Sequence, residues 1–130
     1  DVRAGQVAAS TLIYAGALLM RNAAGYVVEG QAATGLVGIG RAEARVDNSG
    51  GANGGATVRY RPGVFHFANS AGGDEITIAE IGDLAWAVDD ETVAKTDGSA
   101  SRSPAGVIEH VDAQGVWVRV DEALTKAYAA

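Results

Sequence analysis

The residue types best suited to chemistry in this sequence are two histidines, His66 and His110. A histidine can bind a transition metal or carry a proton near neutral pH. Glu109 and Asp112 lie close to His110 in the chain and are the co-ligands that a metal site would use. A single histidine on an alternating strand, however, more often faces solvent or is hydrogen-bonded within the fold. The sequence therefore predicts no metal site.

The serines do not show the spacing of a nucleophilic site. None lies in the Gly-x-Ser-x-Gly pattern that presents a serine at a strand-to-helix turn. The serines are Ser10, Ser49, Ser70, Ser99, Ser101 and Ser103. All fall at predicted strand edges or in loops, so we expect no catalytic residues and no enzymatic activity.

Two further segments could be mistaken for ligand-binding loops. Gly35, Gly38 and Gly40 are spaced Gly-x-x-Gly-x-Gly, which is not the order of a dinucleotide fingerprint, and a strand continues through them. Close backbone packing in a barrel explains these glycines better. The loop 47–55 contains one carboxylate, and the acids of 89–91 read as a solvated turn, so neither offers the several oxygen ligands that Ca²⁺ prefers. We expect no cofactor.

Composition limits the classes of partner. The chain has 130 residues, of which 48% are hydrophobic and 20% charged, as in a single globular domain. It has no cysteine, which excludes disulfides and thiolate metal sites. Ten basic against sixteen acidic residues give a net charge of −6, which argues against binding nucleic acid. No apolar run approaches the ~20 residues of a membrane-spanning helix, so we expect no membrane partner.

The elements that would position these residues are short strands. Eighteen glycines and two prolines punctuate the chain, and segments such as 57–61 alternate apolar and polar residues. We predict an all-β fold, a small pseudo-duplicated β-barrel or sandwich, with at most one short internal helical turn and a possible short C-terminal helix. The turn would begin at the capping-box spacing Thr77–Glu80, and the helix after Asp121. The predicted organisation is an extended N-terminal arm (1–10), one β domain (11–120) and a C-terminal tail (121–130).

Two segments of the sequence share one pattern, which we call the internal echo. Residues 15–20 and 26–28 share a pattern of glycine turn, strand, polar turn and strand with residues 81–86 and 92–94. A glycine-led apolar strand follows each copy, at Gly35 and at Gly106. Either the resemblance arises by chance in a chain rich in alanine, glycine and valine, or the chain is duplicated. We favour duplication, with both units packed into one pseudo-symmetric barrel.

Apolar and basic residues divide into a candidate core and a candidate interface. The candidate core residues are Leu18, Val37, Val58, Phe65, Trp86, Val107 and Trp117. The candidate interface residues are Arg41, Arg45, Arg59 and Arg61 of a central basic cluster, with Val2, Arg3, Gln6 and Val7 of the arm. The arginines either form an ordinary solvated face or bind an acidic partner surface or a neighbouring subunit.

Three stretches of the chain resemble one known family. They are Ile13–Leu18 with Gly25-Tyr26 and Gly35–Gly38, then Arg61–Ser70, and finally Val88–Ala94 with Gly106–Ile108. In this order they resemble the DUF2190-like capsid decoration (cement) proteins of tailed bacteriophages and prophages, and the resemblance spans roughly Ala4 to Val120. The chain departs from that family in the glycine-rich loop 48–55, which we expect to be exposed and mobile, and in the tail after residue 120.

The resemblance implies a structural virion protein that binds the outer surface of the assembled capsid. Its partner would be the major capsid protein, its oligomeric state a homotrimer, and its location the virion, after assembly in the host cytoplasm. The family offers no catalytic residues to carry over. We also expect the N-terminal arm to lie along the capsid and add a strand to one of its edges. The alternatives are a β domain of a phage tail or fibre and, with only 6% aromatic residues, a carbohydrate-binding β module.

Overall fold

The structure, a computed structural model, describes residues 2 to 129 and confirms the all-β fold. Its strands are β1 (Arg3–Gln6), β2 (Thr11–Ile13), β3 (Leu18–Arg21), β4 (Val27–Glu29), β5 (Val37–Ala42), β6 (Val46–Asn48), β7 (Thr57–Arg61), β8 (Gly63–Asn69), β9 (Leu84–Ala87), β10 (Thr92–Ala94), β11 (Pro104–Asp112) and β12 (Gly115–Val120). Two 3₁₀ turns, Gly72–Asp74 and Ile78–Glu80, and one helix, α1 (Glu122–Ala129), complete the described elements.

The helical elements follow local capping chemistry. At the second 3₁₀ turn, the Thr77 hydroxyl accepts from the Ala79 amide while the Glu80 carboxylate accepts from the Thr77 amide at 2.7 Å, which is the predicted capping box. The Asp121 carboxylate accepts from the Leu124 amide at 3.0 Å and starts α1 as expected. The limit of one internal turn was wrong, because the glycine pair before Asp74 forms the other 3₁₀ turn.

The strands form two five-stranded units. In the first unit the strand order is β1-β7-β5-β3-β4, and in the second it is β10-β8-β12-β11-β9, closed into a barrel. Strands β2 and β6 pair separately beside the first unit. Outward and inward residues alternate along the strands, as in β7, where Val58 and Tyr60 are buried and Arg59 is exposed.

Strand pairing shows that the chain is duplicated. In the first unit Leu19 pairs with Gly40, and in the second Ala85 pairs with Gly106, so both partners shift by 66 positions (19 to 85, 40 to 106). The hairpins β3–β4 and β9–β10 obey the same shift. Even the irregularity in register recurs, directly after the Leu19 pair and the Ala85 pair. The three strands of the internal echo are therefore equivalent residue by residue.

The two remaining strands of each unit are equivalent as well. Gly5 of β1 pairs with Val58 of β7, as Phe67 of β8 pairs with Val116 of β12. In both units the first strand also makes a parallel contact with the second strand of the hairpin. In the first unit this contact is the bridge from Val7, just after β1, to Val27 of β4. In the second unit β8 pairs with β10 through Asn69 and Val93. Each unit thus builds its own five-stranded sheet. The expected single barrel, shared by both units, was wrong.

Residues 3 to 7 are extended but belong to the first unit. Strand β1 pairs with β7 along its whole length, and the side chain of Val7 is fully buried in the first unit's core. The alternation from Gly5 to Val7 directs both residues inward, which explains why this segment packs in the sheet instead of leaving the domain. Val7 is accordingly a core residue, not part of an exposed interface.

The glycine-rich loop 48–55 is mostly exposed but tied to the N-terminal segment. The buried Asn48 amide donates to the carbonyl oxygens of Ala8, at 2.9 Å, and Ala52, at 3.0 Å. The Asn53 side chain accepts from the Ala9 amide at 2.8 Å. These bonds give the loop a defined path across the first unit.

The seam between the units depends on close backbone contact. A Cβ atom on Gly38 would overlap the backbone of Ala105 in the second unit. Within the first unit, a Cβ atom on Gly40 would overlap the Arg61 carbonyl group. The glycine spacing is therefore explained by backbone packing, as the sequence indicated. Leu18 and Met20 of β3 lie in the hydrophobic core of the second unit and reinforce the seam.

We expect Gly38→Ala to lower the free energy of unfolding by about 2 to 3 kcal/mol, because backbone must move to admit the methyl group. Denaturant titration followed by circular dichroism measures this change. Gly50→Ala is the matched control, since a Cβ there meets nothing within 4 Å, and its effect should stay within about 0.5 kcal/mol. Equal effects of the two substitutions would contradict the seam as described.

Candidate functional site

The two histidines flank one tryptophan on the outer surface of the second unit. In the strand register His66 of β8 and His110 of β11 both lie opposite Trp117 of β12. The His66 and Trp117 rings are 4.9 Å apart at their centroids and are inclined by 54°. Across residues 2 to 129 no group of three or more histidine and acidic side chains is arranged to hold a metal ion.

Six of the seven candidate core residues are buried or half-buried, and one is exposed. Leu18, Val37, Val58 and Val107 are buried, and Phe65 and Trp86 are half-buried. Trp117 is instead 37% exposed. The reason is the strand alternation of β12, in which Val116, Val118 and Val120 all point inward and leave Trp117 on the outer face.

Hydrogen bonds fix the exposed Trp117 side chain. Its indole N–H donates to the Asp112 carboxylate at 3.2 Å. The Gln114 amide also donates to this carboxylate at 2.9 Å, and this bond, followed by the indole bond, lowers the pKa of Asp112. A rigid aromatic ring thus lies directly beside an ionised carboxylate.

Arginines share the outer surface of the first unit, as the alternation predicts. Arg41 of β5 pairs in register with Arg61 of β7, and Arg59 lies two positions earlier on the same face. The Arg41 guanidinium lies 4.6 Å from the centroid of the Phe65 ring. The Arg61 guanidinium donates to Glu43 at 2.7 Å. Arg59 has no ion pair with any residue between 2 and 129.

Of the remaining candidate interface residues, only Val2 lines a groove with Arg59 and Arg61 between residues 2 and 129. Arg45 lies in the connection from β5 to β6, 3.9 Å from Asp47. Arg3 and Gln6 are exposed on strand β1. Val2 is exposed beside the arginines and, with Glu43, Ala44, Arg59 and Arg61, lines a groove of about 330 Å³. We call these five residues the arginine face.

The second unit carries a counterpart of the arginine face. The register places Val64 where the first unit has Val2, and Arg119 where it has Arg61. Arg119 forms an ion pair with Glu109, just as Arg61 does with Glu43. The counterparts, which we call the tryptophan face, are Val64, Glu109, His110, Trp117 and Arg119. Sequence reasoning missed this equivalence, because only the strand register aligns residues outside the echoed segments.

Two exposed apolar positions were also missed by sequence reasoning. Ile78 is 75% exposed on the second 3₁₀ turn, and Ile81, which follows that turn, is 45% exposed. The capping box of Thr77 and Glu80 holds the turn in shape. The same capping-box spacing was the one sequence signal that could have located this site. Ile78 and Ile81 lie three residues apart and are both exposed, and an exposed apolar patch can mark a contact with another macromolecule.

The surface of residues 2 to 129 has two further clefts. One cleft of about 350 Å³ runs between Tyr14 and the acidic pair Asp90 and Glu91. Burial raises the pKa of Asp90 and of the neighbouring Glu29, and the Asp90 carboxylate adds to the effect on Glu29. Another cleft, of about 420 Å³, separates α1 from the β3–β4 turn, where Arg21 donates to Glu122 at 2.9 Å.

Comparison of the chain with family models, curated proteins and solved structures found no match. Within residues 2 to 129, no helix has the length and apolar character needed to span a membrane.

We expect Glu29→Gln to stabilise the protein more at neutral than at acidic pH. The raised pKa of folded Glu29 means that the folded state binds this proton more tightly, so wild-type stability is lost as pH rises through the folded pKa. Glutamine removes that loss. Unfolding free energies at about pH 4 and about pH 7.5 measure the difference, with the exposed Glu75→Gln as control. A stability difference independent of pH would contradict the raised pKa.

Proposed function

We propose that this protein is a non-catalytic structural component of a tailed-phage virion, which binds the outer surface of the assembled capsid and stabilises it. The proposal rests on the family resemblance and on one structural observation. That observation is the isoleucine turn (Ile78 and Ile81), an apolar projection held rigidly by the capping box.

The resembling segments coincide with the framework of both units. Ile13–Leu18 leads into β3, Arg61–Ser70 contains β8, and Val88–Ala94 contains β10. Gly106–Ile108 lies in β11, where Gly106 and Val107 pair with β9. The resemblance therefore involves residues that determine the fold, which supports an inference about fold-dependent assembly more than a chance match of loops would.

The isoleucine turn offers the chemistry of a docking anchor. Buried apolar anchors at the centre of an interface contribute most of its binding energy. Glu75 and Asp83 lie near Ile78 in the chain and would form a polar rim. We propose that Ile78 inserts into an apolar recess on the major capsid protein.

Stabilisation of the shell would follow from mass action. A ligand that binds the assembled state and not the free subunits shifts the equilibrium toward assembly. We propose that the protein acts as a homotrimer, so that three anchors engage the shell together and avidity replaces strong single contacts. The candidate interface residues Arg41, Arg45, Arg59 and Arg61 remain predictions, either for the shell or for contacts between copies.

A carbohydrate-binding module is a second candidate, favoured by one observation. Trp117 is exposed on the outer face beside His66, and an exposed ring can stack on a sugar. The His66 ring is inclined to the indole by 54°, so the two rings do not form a flat platform. Specific binding on a glycan array that is lost in Trp117→Ser would place this candidate first.

We expect Ile78→Ser to weaken binding to assembled shells at least tenfold, because it removes the apolar anchor. Co-sedimentation with shells that lack this protein measures the loss. Tyr128→Ser, at another exposed large side chain on α1, is the matched control and should bind as the wild type does. Unchanged binding of Ile78→Ser would exclude the isoleucine turn as the anchor, and absence of wild-type binding would refute the capsid proposal.

A further inference from the structure

The arginine face and the tryptophan face are equivalent positions that have become different. Both contain an exposed valine, Val2 or Val64, and both contain an arginine–glutamate ion pair. They differ at the central position, which is Arg59 in the first unit and Trp117 in the second. Both residues are the outward central positions of their strands, β7 and β12.

The residues beside the central position are also smaller in the first unit than in the second. The first unit has Ala44 where the second has His110, and Ala4 where the second has His66. Small side chains leave the arginine face as an open groove of about 330 Å³. On the tryptophan face the two histidines lie on either side of the indole in the register, and we call this row of three large rings the ridge.

The two faces also differ in charge. The groove contains the Arg59 guanidinium, which has no ion pair with residues 2 to 129. The ridge contains the indole of Trp117 and the ionised Asp112 carboxylate bonded to it. A guanidinium binds favourably over an indole ring and to a carboxylate. Each face therefore supplies what the other lacks.

We propose that the arginine face of one copy binds the tryptophan face of a second copy, with Trp117 seated in the groove against Arg59. The ion pairs support a second copy as the occupant. Each face carries one arginine–glutamate ion pair, so Arg61 of one copy can pair with Glu109 of the next while Arg119 pairs with Glu43. The two faces have the same strand arrangement, so their contact resembles a two-fold interface. It differs from one because it joins the first unit of one copy to the second unit of the next.

The contact is heterologous, because each chain carries one groove and one ridge. Copies joined in this way form a ring if the rotation closes and a filament if it does not. The inference rests on the proposed function only for the number of copies, since a homotrimer would be the ring of three. The contact itself requires no shell, and the isoleucine turn is not part of it.

Single substitutions and their mixture test this contact directly. Arg59→Glu and Trp117→Ser each destroy one face, and each should weaken self-association at least tenfold, as measured by analytical ultracentrifugation. Each variant retains the opposite face. An equimolar mixture of the two should therefore form a discrete heterodimer that cannot grow, whereas each variant alone associates only weakly.

Two controls keep the test sharp. Lys95→Glu reverses an exposed positive charge outside both faces and should associate as the wild type does. Trp117→Arg introduces the residue type that the first unit carries at the equivalent position, so the fold should accept it. The new arginine would face Arg59 of the neighbouring copy, and their repulsion should weaken association. A monomeric wild type, association of either single variant at wild-type strength, or a mixture without heterodimer would each overturn the proposal. Shell binding by wild type, measured separately, distinguishes this failure from failure of the proposed function.

Discussion

The structure depends on one constraint, the burial of strand β3 on both of its faces. Leu19 points into the core of the first unit, whereas Leu18 and Met20 lie in the core of the second. Gly38 permits the backbone of the two units to touch at Ala105. Since neighbouring residues of one strand belong to two cores, the units cannot separate without exposing apolar surface in both. The seam therefore joins the two units into one support for the outward-facing groups of both.

A binding protein needs side chains at defined positions on its outer surface, and the two units place different residues at equivalent positions. The first unit presents Arg59 in a groove, and the second presents Trp117 on a ridge at the equivalent position. The second unit alone presents Ile78, because the first has strand β2 in the corresponding stretch. Duplication followed by local substitution thus gives distinct surfaces on one fold. In our account the isoleucine turn binds the capsid shell, and the two faces bind neighbouring copies.

Sequence reasoning succeeded where local patterns determine structure. Glycine punctuation and strand alternation gave the all-β fold, the Thr77–Glu80 spacing gave a 3₁₀ turn, and the echo gave three equivalent strands in each unit. It failed where long-range pairing decides. An aromatic side chain such as Trp117 favours the core on composition alone, but the three inward valines of β12 leave it outside. Likewise, nothing in the sequence indicates that the segment near Val7 makes a parallel contact with Val27 and completes the first unit. Sequence reasoning therefore predicted a free arm there.

We propose above all that the protein binds the outer surface of the capsid. The most direct measurement is immunogold labelling of virions with an antibody to this chain, together with the number of copies per particle from quantitative mass spectrometry. The account predicts label across the head lattice and a copy number that is a multiple of three. Label confined to the tail or its fibres, or virions without the protein, would contradict it.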